Sequence, residues 1–480
     1  MDAVLACKDL TVTYAGGATP VRDVSFSVAP GECFALVGGS GAGKSTIARA
    51  LLGLHARDTS VTGALWIGGQ DMVGVPRRLW QTVRGRQMGF VAQNPWDSCN
   101  PLRSVRDHVA EASRCHGLQI SWHDIADRLE ALGVADAGVR ARQHPHTWSG
   151  GMLQRASIAA AGAHAPPLMI ADEPTSALDA DRAQSVLDAL KSLGSAVVLI
   201  SHDMGLVLRN ADKLGVLSGG LLVEQGTPSA LASTPDHPET RRLLAALAPV
   251  PPRARRAAPE PLLRLSNVSV SYDRGRVEAL VSADLDVRAG QIVGVQGPSG
   301  CGKSTLLRVA MQIERPSGGT VWASDAVKRP GAILPIFQDP VGSLVPHWPI
   351  WRSIAEPLMA PGRPHISRTL RDEKVAAALA QVGLGTIDPM ARPSDLSVGQ
   401  CQRVAVARAT ISEPAMIVAD EPTSALDSPS TWLVSKLLGD AAERGTAVVV
   451  VSHDSAFLER VADKVVAMSA GRTLNTSGVA

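Results

Sequence analysis

Short, unbroken apolar runs recur along the chain in two matched sets. CFALVG (33–38), LMIAD (168–172) and AVVLIS (196–201) form the first set, and QIVGVQG (291–297), MIVAD (416–420) and AVVVVS (447–452) the second. Runs of this length without polar alternation read as strands buried on both faces, as parallel strands covered by helices are. The opening run of each set is followed by a helical stretch, TIARALLGL (46–54) or TLLRVAMQI (305–313). Each half of the chain therefore predicts an α/β domain with strand, loop, helix order.

The halves also repeat letter by letter. LVGGSGAGKST (36–46) is answered by VQGPSGCGKST (295–305), and ADEPTSALD (171–179) returns verbatim at 419–427. The chain reads as a tandem duplication in which length differences fall between the motifs, where loops tolerate them. Its 480 residues exceed what one core organises, about 250 to 300. The domains are expected at 1–248 and 262–480. PVPPRARRAAPEP (249–261) joins them; its prolines favour extended chain and its arginines have nothing apolar to pack on.

Composition narrows the class. Hydrophobic residues at 45% and charged ones at 19% exclude a disordered or collagen-like chain. A net charge of +2 supplies no global field for nucleic acid or an anionic membrane. The apolar stretches are short and broken where a membrane span needs about 20 residues, and the N-terminus lacks the pattern of a signal peptide. The expected location is the cytoplasm. The six cysteines form no C-x-x-C pair, so neither a disulfide framework nor a zinc site is expected.

Residues 38–45 and 297–304 both fit G-x-x-x-x-G-K-[ST], each between a predicted strand and a helical run. In the first copy Gly38, Gly39, Ser40, Gly41, Ala42 and Gly43 lead to Lys44, Ser45 and Thr46. In the second, Gly297, Pro298, Ser299, Gly300, Cys301 and Gly302 lead to Lys303, Ser304 and Thr305. Glycine lets successive backbone N–H groups turn inward on a β-phosphate, the helix N-terminus adds positive potential, and the lysine reaches toward the γ-phosphate. Ser45 and Ser304 are placed to ligate Mg2+. Asp172 and Asp420 end apolar runs and precede Glu173 and Glu421. That placement suits holding the magnesium shell with the first carboxylate and orienting an attacking water with the second.

With WSGGMLQR (148–155), LSVGQCQR (396–403) and SHD at 201–203 and 452–454, these motifs make nearly the whole chain resemble the ATP-binding-cassette (ABC) ATPases. The resemblance implies two tandem ABC nucleotide-binding domains, each a P-loop NTPase core with a helical signature subdomain. It also implies an internal pseudo-dimer that clamps two ATP molecules head to tail, the signature of one cassette completing the site begun by the other's phosphate loop. Ser149, Gly150 and Gly151, and Ser397, Val398, Gly399 and Gln400, would then present helix N-terminal donors to a γ-phosphate. Gln93 and Gln338 resemble glutamines that sense magnesium and lead into the surface touching a membrane partner. His202 and His453 resemble switch histidines that contact the γ-phosphate. Tyr14 and Tyr272, the chain's only tyrosines, resemble the aromatic that stacks on adenine. Both signatures depart from the family pattern: Trp148 and Met152 replace the usual Leu and Gln, and Val398 replaces a Gly. The β-branched Val398 makes the site of Lys44 and Ser397 the one expected to turn over more slowly.

Finer features resemble the ATPases of peptide, nickel and metal-opine importers. QNPWDSCNP (93–101) and QDPVGSLVP (338–346) share Q-[ND]-P-x-x-S-x-x-P, and SHDMGLV (201–207) and VEQGTPSAL (223–231) fit the same group. TPDHPETRRLL (234–244) resembles its H-P-Y-T element with Glu239 in place of Tyr. Some relatives carry a cysteine-rich segment after that element; residues 242–300 have no Cys, so no iron-sulfur cluster is expected. The resemblance implies two integral-membrane permease subunits and an external binding protein as partners. It places the chain at the cytoplasmic face of the cell membrane, with peptide, nickel and metallophore all open as cargo. The second reading is a soluble twin-cassette motor acting on ribosomes or DNA.

Overall fold

The computed structural model describes residues 3–39, 41–175, 180–247, 261–273, 276–298, 300–424 and 426–474. It divides into two compact units, Met1–Leu247 and Ala248–Ala480. Of the stretch at 249–261 only Pro261 lies within the described residues, where it opens a strand. Ser40, Ser299 and the tail after Leu474 fall outside them.

In the first unit the strands are β1 (Leu5–Thr13), β2 (Val21–Val28), β3 (Cys33–Gly38), β4 (Ser60–Ile67), β5 (Gln70–Asp71), β6 (Met88–Val91), β7 (Leu168–Asp172), β8 (Ala196–Ile200), β9 (Lys213–Ser218) and β10 (Leu221–Gly226). They make an antiparallel sheet, β2-β1-β4-β5, and a six-stranded sheet, β10-β9-β3-β8-β7-β6. The latter is parallel except at its β10 edge.

The unbroken apolar runs serve two cores at once. Cys33, Ala35 and Val37 of β3 enter one cluster while Phe34 and Leu36 enter another, and β7 and β8 divide their residues the same way. A strand covered on both faces has no position left for a polar residue. The first cluster also takes up helices Val105–Cys115, Trp122–Ala131 and Gly150–Ala161, so the signature helix shares a core with the strands that hold the phosphate loop.

The second unit repeats the plan. Its strands are β11 (Pro261–Tyr272), β12 (Val277–Arg288), β13 (Ile292–Gln296), β14 (Gly318–Ala323), β15 (Ile333–Ile336), β16 (Met416–Asp420), β17 (Ala447–Val451), β18 (Lys464–Ser469) and β19 (Arg472–Leu474). The sheet orders are β12-β11-β14 and β15-β16-β17-β13-β18-β19. Val448 and Val450 of β17 face one cluster, and Ala447, Val449 and Val451 the other. Among the described residues no helix is long and apolar enough to cross a membrane.

Candidate functional site

Each phosphate loop leaves a buried strand and enters a helix, Lys44–Leu51 or Lys303–Ala310. Lys44 Nζ donates to the carbonyls of Gly38 and Gly39 at 2.8 and 3.1 Å, and Lys303 Nζ to those of Gly297 and Pro298 at 2.7 and 2.9 Å. Both ammonium groups are buried inside the curve of their loops. Gly43 and Gly302 each take φ 103° just before the helix, a conformation that suits glycine. Ala42 and Cys301 occupy the same place and are both buried at the edge of a core cluster, so the thiol acts there as a small apolar group.

The strand ends supply the carboxylates. Ser304 Oγ donates to Asp420 Oδ2 at 3.0 Å, and Ser45 hydrogen-bonds Asp172 in the first unit. Burial pushes the Asp172 carboxyl up and the charge of Glu173 adds to it, against the Ser45 hydrogen bond and the Lys44 and Arg49 charges. Asp172 Oδ1 is buried with no hydrogen-bond partner among the described residues.

Glu173 and Glu421 follow at φ 47° and 49°, left-handed values uncommon for a side-chain-bearing residue. Their backbone N–H groups donate to Ile200 and Val451 at 2.8 and 2.9 Å, which holds the turn against the neighbouring strand. Gln93 Nε2 donates to Glu173 Oε2 at 2.8 Å, and His202 Nδ1 stands 3.2 Å from the same oxygen. In the second unit Gln338 Nε2 lies 3.4 Å from Glu421 Oε2, and His453 Nε2 lies 2.9 Å from Oε1. The structure thus gathers a Gln, a Glu and a His beside each loop, although the two histidines present different ring nitrogens. Burial pulls the His202 imidazolium down, but the hydrogen bond and charge of Glu173 outweigh it and leave the group raised.

The signature serines cap their helices, Ser149 for Gly150–Ala161 and Ser397 for Val398–Thr410. Ser397 Oγ accepts from Gln400 N at 3.2 Å and Gln400 Oε1 accepts from Ser397 N at 2.8 Å, a reciprocal cap. Ser149 Oγ accepts from Met152 N at 3.4 Å, and Met152 has no oxygen with which to return the bond. Val398 is 51% exposed. A Cβ built at the corresponding Gly150 would meet only Trp96 Nε1, at 4.0 Å, so a side chain at this place projects into open space within its own unit.

Trp148 is 3% exposed, packs in the core and donates its indole N–H to the Arg140 carbonyl at 3.2 Å. Trp148→Ala is expected to destabilise the first unit by about 3 to 5 kcal/mol, read as a lower denaturant midpoint. A loss under about 1 kcal/mol would contradict this packing role.

Two buried glutamines of the signature helices, not singled out within the motifs above, hydrogen-bond the backbone next to Gln93 and Glu421. Gln154 Nε2 donates to the Ala92 carbonyl at 3.2 Å, directly before Gln93, and Gln402 Nε2 to the Pro422 carbonyl at 2.9 Å, directly after Glu421. The signal is the QR pair that begins five residues after the signature serine in both copies. The element at 234–244 docks through Glu224, which accepts from Asp236 N, His237 N and the Thr240 hydroxyl. Glu239 pairs there with Arg242 at 2.9 Å.

Comparison with known proteins returns the duplication. A family model described as ABC transporter matches residues 21–176 and again 280–424. The chain is 34% identical to the peptidoglycan transport ATP-binding protein YejF of Agrobacterium fabrum, over 99% of this chain and 93% of that protein. It is 31% identical to the oligopeptide transport ATP-binding protein OppD of Mycobacterium bovis (98% and 94% covered). With the glutathione import ATP-binding protein GsiA of Pectobacterium atrosepticum it shares 33% identity (94% and 82% covered). Among solved structures, the archaeal ribosome recycling factor aABCE1, in complex with the ribosomal stalk protein aP1, matches 98% of this chain and 90% of that one. Its TM-score is 0.66 at 18% identity, which is a likeness of fold.

Proposed function

The chain belongs to the ABC transporter family, and from that premise we propose that its two cassettes power uptake of a peptide-like solute through separate membrane permeases. It is an ATPase, the ATP-hydrolysing motor of an importer. Similarity to importer ATP-binding proteins runs along nearly the whole chain, and this observation carries the importer reading. Peptide-like cargo follows from the relatives, named for oligopeptide, glutathione and peptidoglycan transport. The ribosome- or DNA-bound motor has only a likeness of fold behind it.

Hydrolysis is in-line attack of water on the γ-phosphate, with mostly electrostatic stabilisation. In our reading Lys44 and Lys303 hold the terminal phosphates, and Glu173 and Glu421 orient water. His202 and His453 read the γ-phosphate through the same carboxylates. The Ser–Asp pairs fit Mg2+, since a hydroxyl beside a carboxylate is a hard-oxygen set and buried Asp172 Oδ1 lacks a partner among the described residues. When bound, the ion neutralises phosphate charge. ATP binding then closes the cassettes, closure moves two permeases fed by an external binding protein, and hydrolysis resets them at the cytoplasmic face.

The test is a pull-down from native membranes with the tagged Glu173→Gln/Glu421→Gln chain held in ATP. Two multi-span permeases are the expected catch. Ribosomal or DNA-repair proteins with no membrane protein would defeat the importer reading.

A further inference from the structure

The two tyrosines at matched places are held by different anchors. The Tyr14 hydroxyl lies 2.9 Å from that of Thr46, the residue after the phosphate-loop serine. Tyr272, the last residue of β11, instead donates its hydroxyl to Glu314 Oε2 at 3.1 Å, and its ring packs against the second unit's core. Glu314 stands four residues past its helix and is folded back on it, with its backbone N–H donating to the Arg308 carbonyl at 3.2 Å. The corresponding residue of the first unit is His55, whose Nδ1 lies 3.2 Å from the Ala56 carbonyl.

We infer that Glu314 is a positioning residue for nucleobase recognition in the second cassette, fixing the Tyr272 ring on which the base stacks. This rests on the reading of Tyr272 as the base platform. A phenol that donates to a carboxylate makes a charge-assisted hydrogen bond, stronger than one between neutral groups. A ring that is already tethered loses less freedom when the base arrives. The carboxylate comes from outside the phosphate loop, so base and phosphate recognition are separately anchored in the second cassette. In the first they share Thr46, and a nucleotide that recruits this hydroxyl does so in competition with Tyr14.

The experiment uses the full chain with the first site silenced by Lys44→Ala, and compares binding of Mg-ATP with that of Mg-tripolyphosphate, which has no base. Glu314→Ala is expected to weaken ATP binding about fivefold and to leave tripolyphosphate unchanged. Tyr272→Phe should do the same, and the double variant should cost no more than either single one, because one hydrogen bond is lost in all three. Glu314→Gln, which keeps an acceptor oxygen but loses the charge, should weaken ATP binding less than Glu314→Ala does and leave tripolyphosphate unchanged. Equal weakening of both ligands by Glu314→Ala, or of neither, overturns the inference, as do additive effects. Unchanged ATP affinity in Tyr272→Ala would instead defeat the base-platform reading itself.

Discussion

Glu173→Gln combined with Glu421→Gln is expected to take ATP turnover down by about 10²- to 10⁴-fold while ATP still binds, because the change removes a base and little else. The shape is kept, the left-handed turn is untouched, and the amide oxygen still accepts from Gln93 or His202. The lost group is the charge that orients the attacking water, whereas the lysines and loop N–H groups that bind phosphate remain. Steady-state phosphate release set against equilibrium binding of labelled ATP separates these contributions. Turnover at the unmodified rate would remove both carboxylates from the chemistry. The single variants divide the rate between the sites. If Val398 slows the site of Lys44, Glu421→Gln should abolish more of the activity than Glu173→Gln.

Much of this was legible because the strongest constraints are local. A strand buried on both faces must be an unbroken apolar run, so β3, β7, β8 and their counterparts stood out, and the phosphate loops followed from the motif spacing between such a strand and a helical run. Interactions between distant residues left no such mark. Nothing in the letters DE requires φ 47° at Glu173; the turn is imposed by the hydrogen bond to Ile200, 27 positions along the chain. The matched tyrosines gave no hint of unlike anchors, since Thr46 lies in the first turn of one helix and Glu314 beyond the end of the other. Glu224 lies inside a recognisable stretch, yet its partners stand 12 to 16 residues further on.

The second large effect is expected where the backbone leaves no room. Gly43→Ala should abolish measurable ATP binding at the first site, whereas Gly41→Ala should cost only the strain of a left-handed alanine, about 1 to 2 kcal/mol. Both glycines have positive φ, 103° at Gly43 and 78° at Gly41, so conformation alone does not separate them. Their surroundings do. A Cβ at Gly41 meets nothing within 4 Å, but at Gly43 it would stand 2.4 Å from the Pro20 carbonyl oxygen. That carbonyl precedes Val21, where β2 pairs with Val12 of β1, so it yields only if the antiparallel sheet shifts. The alternative is for Gly43 to move, and Gly43 starts the helix whose first residue is Lys44. Either response misaims the N–H groups and the ammonium that hold phosphate. The second unit carries the same arrangement, with a Cβ at Gly302 falling 2.3 Å from the Ala279 carbonyl oxygen and one at Gly300 in open space. Gly302→Ala and Gly300→Ala should therefore reproduce the contrast at the other site, read by titration with the first loop silenced. Equal losses from the paired substitutions would show that the φ values, and not the Pro20 and Ala279 carbonyls, govern the loops.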